Sequence, residues 1–156
     1  MVTPLDNRAS DRRDPTAPLR YSTAWHTDTS PAAARAAVRA LVARAGYDPD
    51  HQPVQDAQLV VSELVTNALR HAPGPGRLEL EVTPDAALLR ITVKDTSPSP
   101  PELRTHDARR VGGHGLRLVA RLCDRLHTVV LDTGKQVAAH LYLREPAEEL
   151  PGQAAV

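Results

Sequence analysis

Apolar residues recur along this chain at two spacings, and the switches between them mark out its elements. From Leu19, "LRYSTAW" alternates apolar and polar side chains, the period of a strand with one buried face. Ser30 and Pro31 then pair a capping side chain with proline at the first helical position. "AAARAAVRALVARAG" follows, rich in helix formers and stopped by Gly46. A second helix is predicted from about Val54 to Ala72, with Val60, Val61, Leu64, Val65, Ala68 and Leu69 as its apolar band. "PGPG", Pro73 to Gly76, ends it.

Period two returns in "RLELEVTPD" and "ALLRITVKD", which predict a hairpin around Pro84 to Ala86. From Thr96 to about Val111 the chain is Pro-rich, polar and without period, a long loop of the kind that is functional or disordered. "GGHGLRLVARLCDRL" opens on glycines and continues as an amphipathic helix. "HTVVLDT", a turn at Gly134-Lys135, and "QVAAHLYL" predict a closing hairpin. Residues 1–18, charged and broken by three prolines, read as a disordered tail, and 145–156 as a flexible one, around one domain over 19–144. Strands come in adjacent pairs, which favours an α+β fold: a mixed or antiparallel sheet with helices on one face. No internal repeat is found.

Composition narrows the chemistry. Hydrophobic residues make up 41% of the 156, aromatics only 3%, and Phe is absent, so the core must be built from Leu, Val and Ala. The formal net charge is zero and does not suggest a generally basic surface for nucleic acid or membrane. A single cysteine, Cys123, allows no intrachain disulfide and no cysteine-held zinc. No apolar run approaches the ~18 residues of a membrane span, and the N-terminus has no apolar signal core, so the expected setting is the cytoplasm.

Three polar features stand out against this background. On the second helix Glu63, Asn67 and Arg70 fall in one row, because about 100° per residue puts them within about 60° of each other, away from the apolar band. Such a row suits a solvated face with a Glu–Arg pair. Asn67, however, is a poor helix former, and its amide oxygen can ligate a hard cation such as Mg²⁺, beside a carboxylate able to take a proton. "GGHGL", Gly112 to Leu116, places exposed amides and small residues at a helix entry, a flexible start or a phosphate site. Asp95, where a strand meets the long loop, either caps a turn or accepts a hydrogen bond from an exocyclic amine.

In this order, "ELVTNALRHA", "ITVKDTSPSPP" and "GGHGLRLVARLCDRL" resemble the anti-sigma factor serine kinases, members of the ATP-binding superfamily that includes gyrase and the histidine kinases. The resemblance covers roughly 20–144. It implies a two-layer α/β sandwich of the Bergerat type with a mixed sheet, binding ATP and Mg²⁺ beneath a lid. Position by position, it implies Glu63 as catalytic base, Asn67 as Mg²⁺ ligand and Asp95 as acceptor for the adenine amine. Arg70, Gly113, His114, Gly115 and Leu116 would lie about the nucleotide, the glycines at its phosphates. The implied partners are an anti-sigma-factor antagonist and a sigma factor, and the implied assembly is a homodimer. The chain departs from the family where Asp95 is followed by "TSPSPP" in place of a glycine-containing motif, and where Gln136 rather than threonine follows Lys135. A partner-binding module, with ATP as a regulatory ligand or lost, is the alternative the same motifs allow.

Overall fold

The structure is a computed structural model and describes residues 14–26, 29–97 and 115–145. Strand β1 (Leu19–Trp25) precedes helix α1 (Pro31–Arg44), where the Ser30 hydroxyl accepts from the Ala33 amide at 3.0 Å and Pro31 opens the first turn. Gly46, at φ +95°, takes the left-handed turn that ends it. Helix α2 (Gln52–His71) is the longest, as the apolar band predicts. Strands β2 (Gly76–Val82) and β3 (Leu88–Asp95) form the expected hairpin, with Ala86 at φ +60° in its turn. Helix α3 (Gly115–Leu122) leads into β4 (Arg125–Leu131) and β5 (Gly134–Tyr142).

Two boundaries differ from expectation. The third helix stops at Leu122, and "RL" at Arg125-Leu126 starts β4 instead of finishing the helix. Gly134-Lys135 is not the turn; Asp132-Thr133 turns the chain, and both Gly134 and Lys135 lie in β5, paired with Leu131 and Val130. Of the expected N-terminal tail, Asp14 to Ala17 form a turn, closed by the Ala17 amide donating to the Asp14 carbonyl at 3.0 Å. Residues 1–13 of that tail, 146–156 of the C-terminal one and 98–114 of the predicted loop and helix entry lie outside the described residues.

The sheet order is β1-β2-β3-β5-β4. Every neighbouring pair is antiparallel, so the sheet is not mixed in its ladders. Because β5 lies between them, β3 and β4 run parallel, linked by way of α3 as a βαβ unit. The helices pack on one face, giving two layers. On that face Leu78, Leu80, Leu89, Ile91, Val93, Val137, Ala139 and Leu141 are buried against Val54, Val60, Val61, Leu64 and Val65 of α2. Each fully buried Val or Leu contributes about 1.5–3 kcal/mol, which is how a core without Phe is sufficient. The one tryptophan, Trp25, packs on Gly76, where a Cβ would come within 2.2 Å of its ring.

Candidate functional site

Helix α2 is the central helix, and its neighbours fix what its polar row can face. α1 lies along one flank, where Arg35 donates to Ser62 at 2.7 Å and Arg39 to Gln58 at 2.8 Å. α3 also packs on α2. Around the helix, Glu63 and Asn67 fall about 100–180° from Ser62 and Gln58, on the flank away from α1. Both are half-buried, and among the described residues neither side chain has a hydrogen-bonding or ionic partner. A carboxylate and an amide partly withdrawn from water and left unpaired are not the usual content of a solvated row, because removing polar groups from water costs free energy that a partner normally offsets. Arg70 continues the row, exposed, and about 10 Å of helix separates it from Glu63.

Just beyond the end of α2, Gly74 lies against Thr96; a Cβ there would be 3.5 Å from the Thr96 hydroxyl. The row therefore leads toward the end of β3, where Asp95 sits on the helix side of the sheet. Asp95 is buried, and it is not empty-handed. Its register partner on β5 is Lys135, whose Nζ lies 2.8 Å from Oδ2 and 3.0 Å from Oδ1. The Ser97 amide also donates to Oδ1, at 2.9 Å. The two side chains are 4% and 2% exposed, so this is a buried ion pair rather than a surface one.

Lys135 is a residue of this corner that no sequence motif marks. The expected hairpin places it in the turn, where no buried partner is suggested. The signal was present: counting back by twos from Leu141 through Ala139 and Val137 reaches Lys135 on the buried face. Gly134 completes the corner. At φ +153° it brings the β5 backbone so close to β3 that a Cβ would stand 1.9 Å from the Asp95 carbonyl oxygen.

Glu63, Asn67 and Asp95 all lie on the helix side of the sheet, with α3 beside α2. Gly115 is the first residue of α3, and Leu116 is half-buried against the core. Gly113 and His114 lie outside the described residues, as does the loop from 98 onward. Among the described residues no group of three or more His, Cys, Asp or Glu can hold a metal. A cation here would take one protein oxygen, from Asn67, with waters and phosphate oxygens for the rest, the pattern usual for Mg²⁺. Burial pushes the Cys123 thiol up, away from the thiolate form a nucleophile needs. No helix among the described residues is long and apolar enough to cross a membrane.

Comparison with known proteins bears on the fold. The family of the histidine kinase-like ATPase domain matches residues 24–141. The crystal structure of the RsbU and RsbW domains of Rv1364c from Mycobacterium tuberculosis superposes with a TM-score of 0.55 at 19% identity. It covers 78% of this chain, while the chain spans 31% of that one, so the likeness is one of fold. No characterised protein sequence matches the chain. With the match running from the end of β1 to the end of β5, the chain belongs to the histidine kinase-like ATPase domain family.

Proposed function

We propose that the chain is an ATP-binding regulatory protein of the cytoplasm and a Mg²⁺-ATP-dependent serine/threonine kinase. Its substrate would be an anti-sigma-factor antagonist, and through it the protein would control a sigma factor, as a homodimer. The observation that carries this reading is the pair Glu63 and Asn67: one turn apart, half-buried and unpartnered among the described residues, in a chain of an ATPase family. Asn67 would hold Mg²⁺ through its amide oxygen, and the backbone amides at the start of α3, with Gly113 and Gly115, would hold the phosphates. The Asp95 carboxylate would accept from the adenine amine. When bound, Mg²⁺ supplies the charge neutralisation that phosphoryl transfer requires. A Glu63 carboxylate oxygen would take the proton of the attacking serine or threonine hydroxyl, a contribution worth typically ~10²–10⁴ in rate.

One observation favours a second reading, a partner-binding module without transfer. The Lys135 ammonium already occupies both Asp95 oxygens, so adenine meets a partly satisfied acceptor. Two measurements separate the readings. Thermal melts in Mg²⁺-ATP report binding, which adds about 2.7 kcal/mol of stability at a hundredfold excess over the dissociation constant. Phosphate incorporation into a captured antagonist reports transfer. For the kinase, Glu63→Ala abolishes transfer while ATP still binds, and Asn67→Ala weakens Mg²⁺-ATP binding itself. A wild type that captures the antagonist in Mg²⁺-ATP yet never phosphorylates it rules out the kinase and leaves the binding module.

A further inference from the structure

The other face of the sheet carries a second arrangement that the nucleotide reading leaves unused. Antiparallel registration lines up one residue from each strand across this open face: Arg20, Glu81, Arg90, His140 and Arg125, on β1, β2, β3, β5 and β4 in turn. At one end the charges are satisfied. Arg20 Nε donates to Glu81 Oε2 at 2.8 Å. At the other end they are not. Arg90 reaches only the far oxygen of the same carboxylate, at 3.9 Å, and Arg125 has no ionic or hydrogen-bonding partner among the described residues.

His140 lies between these two guanidiniums. Cross-strand neighbours stand about 5 Å apart, so a protonated His140 would have a like charge on either side, which is destabilising. Stability alone therefore gives no reason for the row Arg90–His140–Arg125. His140 Nε2 is also buried and has no hydrogen-bond partner. The next row supplies Thr92, Ala138 and His127, whose ring meets His140 edge-on at 5.5 Å between centroids. Ala138, being small, leaves a depression between its larger neighbours. Arg90, Thr92, His127, Ala138 and His140 belong to the lining of an open cavity of ≈ 640 Å³ on this face, and Arg125 is the register partner of the lining residue His140.

We propose that this depression is a binding site for a small tetrahedral oxyanion, a phosphate group free or as a monoester, held by Arg90, His140 and Arg125. A metal ion is the other ligand that two neighbouring histidines suggest, and the charges decide against it. The carboxylates closest to the pair are already engaged: Glu81 by Arg20, Glu79 by Lys94 at 3.2 Å, and Asp124 by the Tyr142 amide at 2.8 Å. What remains facing His140 is Arg90 from β3, and Arg125 and His127 from β4, which repel a cation and attract an anion. Burial first, and then these same groups, hold the His140 imidazole below its usual range. A bound anion reverses the charge part of that effect, so anion binding and protonation of His140 favour each other.

The test is a titration of the ¹⁵N-labelled protein read at the histidine ring nitrogens, at constant ionic strength made up with sodium chloride. Inorganic phosphate and O-phosphoserine are the two probes. A saturable shift at His140 with either supports the site; tighter binding of O-phosphoserine assigns it to esters, and equal binding to the free anion. Sulfate, whose charge is constant over this range, serves for pH: its affinity rises as pH falls through the His140 titration. Arg90→Gln and Arg125→Gln, both exposed and expected to fold, each weaken binding by about tenfold or more, the loss of one charge-assisted bond. Shifts that grow linearly without saturating, or variants that bind as well as the wild type, overturn the proposal. Since the readout sits on the face opposite α2, its failure leaves the nucleotide reading untouched, and the reverse also holds.

Discussion

Replacing Lys135 with methionine isolates the buried ion pair with Asp95. The ammonium makes two charge-assisted bonds to Asp95, at 2.8 and 3.0 Å, in a place neither side chain shares with solvent. Lys135→Met keeps the length of the stem and removes the charge. The Asp95 carboxylate is then left buried with the Ser97 amide alone. Breaking a buried pair from one side costs about 3–5 kcal/mol. In a chain of this size each kcal/mol lowers Tm by about 2–4 °C, so a fall of about 6–20 °C is expected. Asp95→Leu strands the opposite charge and falls in the same range. The double variant, Asp95→Leu with Lys135→Met, replaces the pair by apolar groups and returns close to wild-type stability. The assay is urea denaturation of all four proteins with unchanged m, arranged as a double-mutant cycle. The expected coupling is several kcal/mol. Single variants costing less than about 1 kcal/mol each, or costs that simply add, would refute the reasoning.

Other expectations follow from single contacts. Gly134→Ala forces a Cβ onto the Asp95 carbonyl and strains a positive φ, so a loss of about 1–3 kcal/mol in thermal denaturation is expected. Ser30→Ala removes the α1 cap and costs about 1 kcal/mol, measured the same way. His140 is held below its unfolded pKa, so on acidification the unfolded chain takes up the proton first. Stability should fall as pH drops through the ordinary histidine range near 6.5, and the slope of Tm against pH should flatten in His140→Gln. In competition titrations ATP should bind more tightly than GTP, because at the proposed site Asp95 would meet an amine on adenine and a carbonyl on guanine. The ratio should stay at or below the ten- to hundredfold of about 1.5–3 kcal/mol for a bond to a charged group, since Lys135 and Ser97 already draw on that acceptor. Equal binding would remove Asp95 from the base site.

The fold was legible wherever one period ran unbroken. The apolar band of α2, the Ser30-Pro31 start of α1 and the alternation of β2 and β3 all specify their elements locally, and the structure has them within a few residues. Legibility ended where local preference and long-range pairing disagree. "CDRL" suits helix by composition, but antiparallel pairing with β5 claims Arg125 and Leu126 for a strand. Gly134-Lys135 suits a turn, yet Gly134 is needed where two backbones nearly touch, and Lys135 has a buried carboxylate waiting across the ladder. At the candidate site, Glu63 and Asn67 could be placed in one row from helix geometry alone. That they are half-buried could not, since it depends on how α1 and α3 divide the flanks of α2. The partner of Asp95, 40 residues away in sequence, is set by sheet order, which no local pattern contains.

One register governs both faces of the sheet. Along β3 and β5, successive residues point to opposite sides, so the pairing that sets Asp95 against Lys135 among the helices also sets Arg90 against His140 on the open face. Sliding β5 by one residue would exchange the faces, burying His140 and Gln136 and exposing Val137 and Leu141, which the core forbids. Gly134 lets β5 begin directly against the carbonyl of Asp95, and the ion pair one residue later holds the two strands there. The buried pair would therefore do more than compete for adenine. It fixes the end of the sheet on the helix side and, through the same ladder, the spacing of the basic row behind it. A lone buried lysine facing a lone buried aspartate specifies one register, which apolar residues of equal stability would not single out.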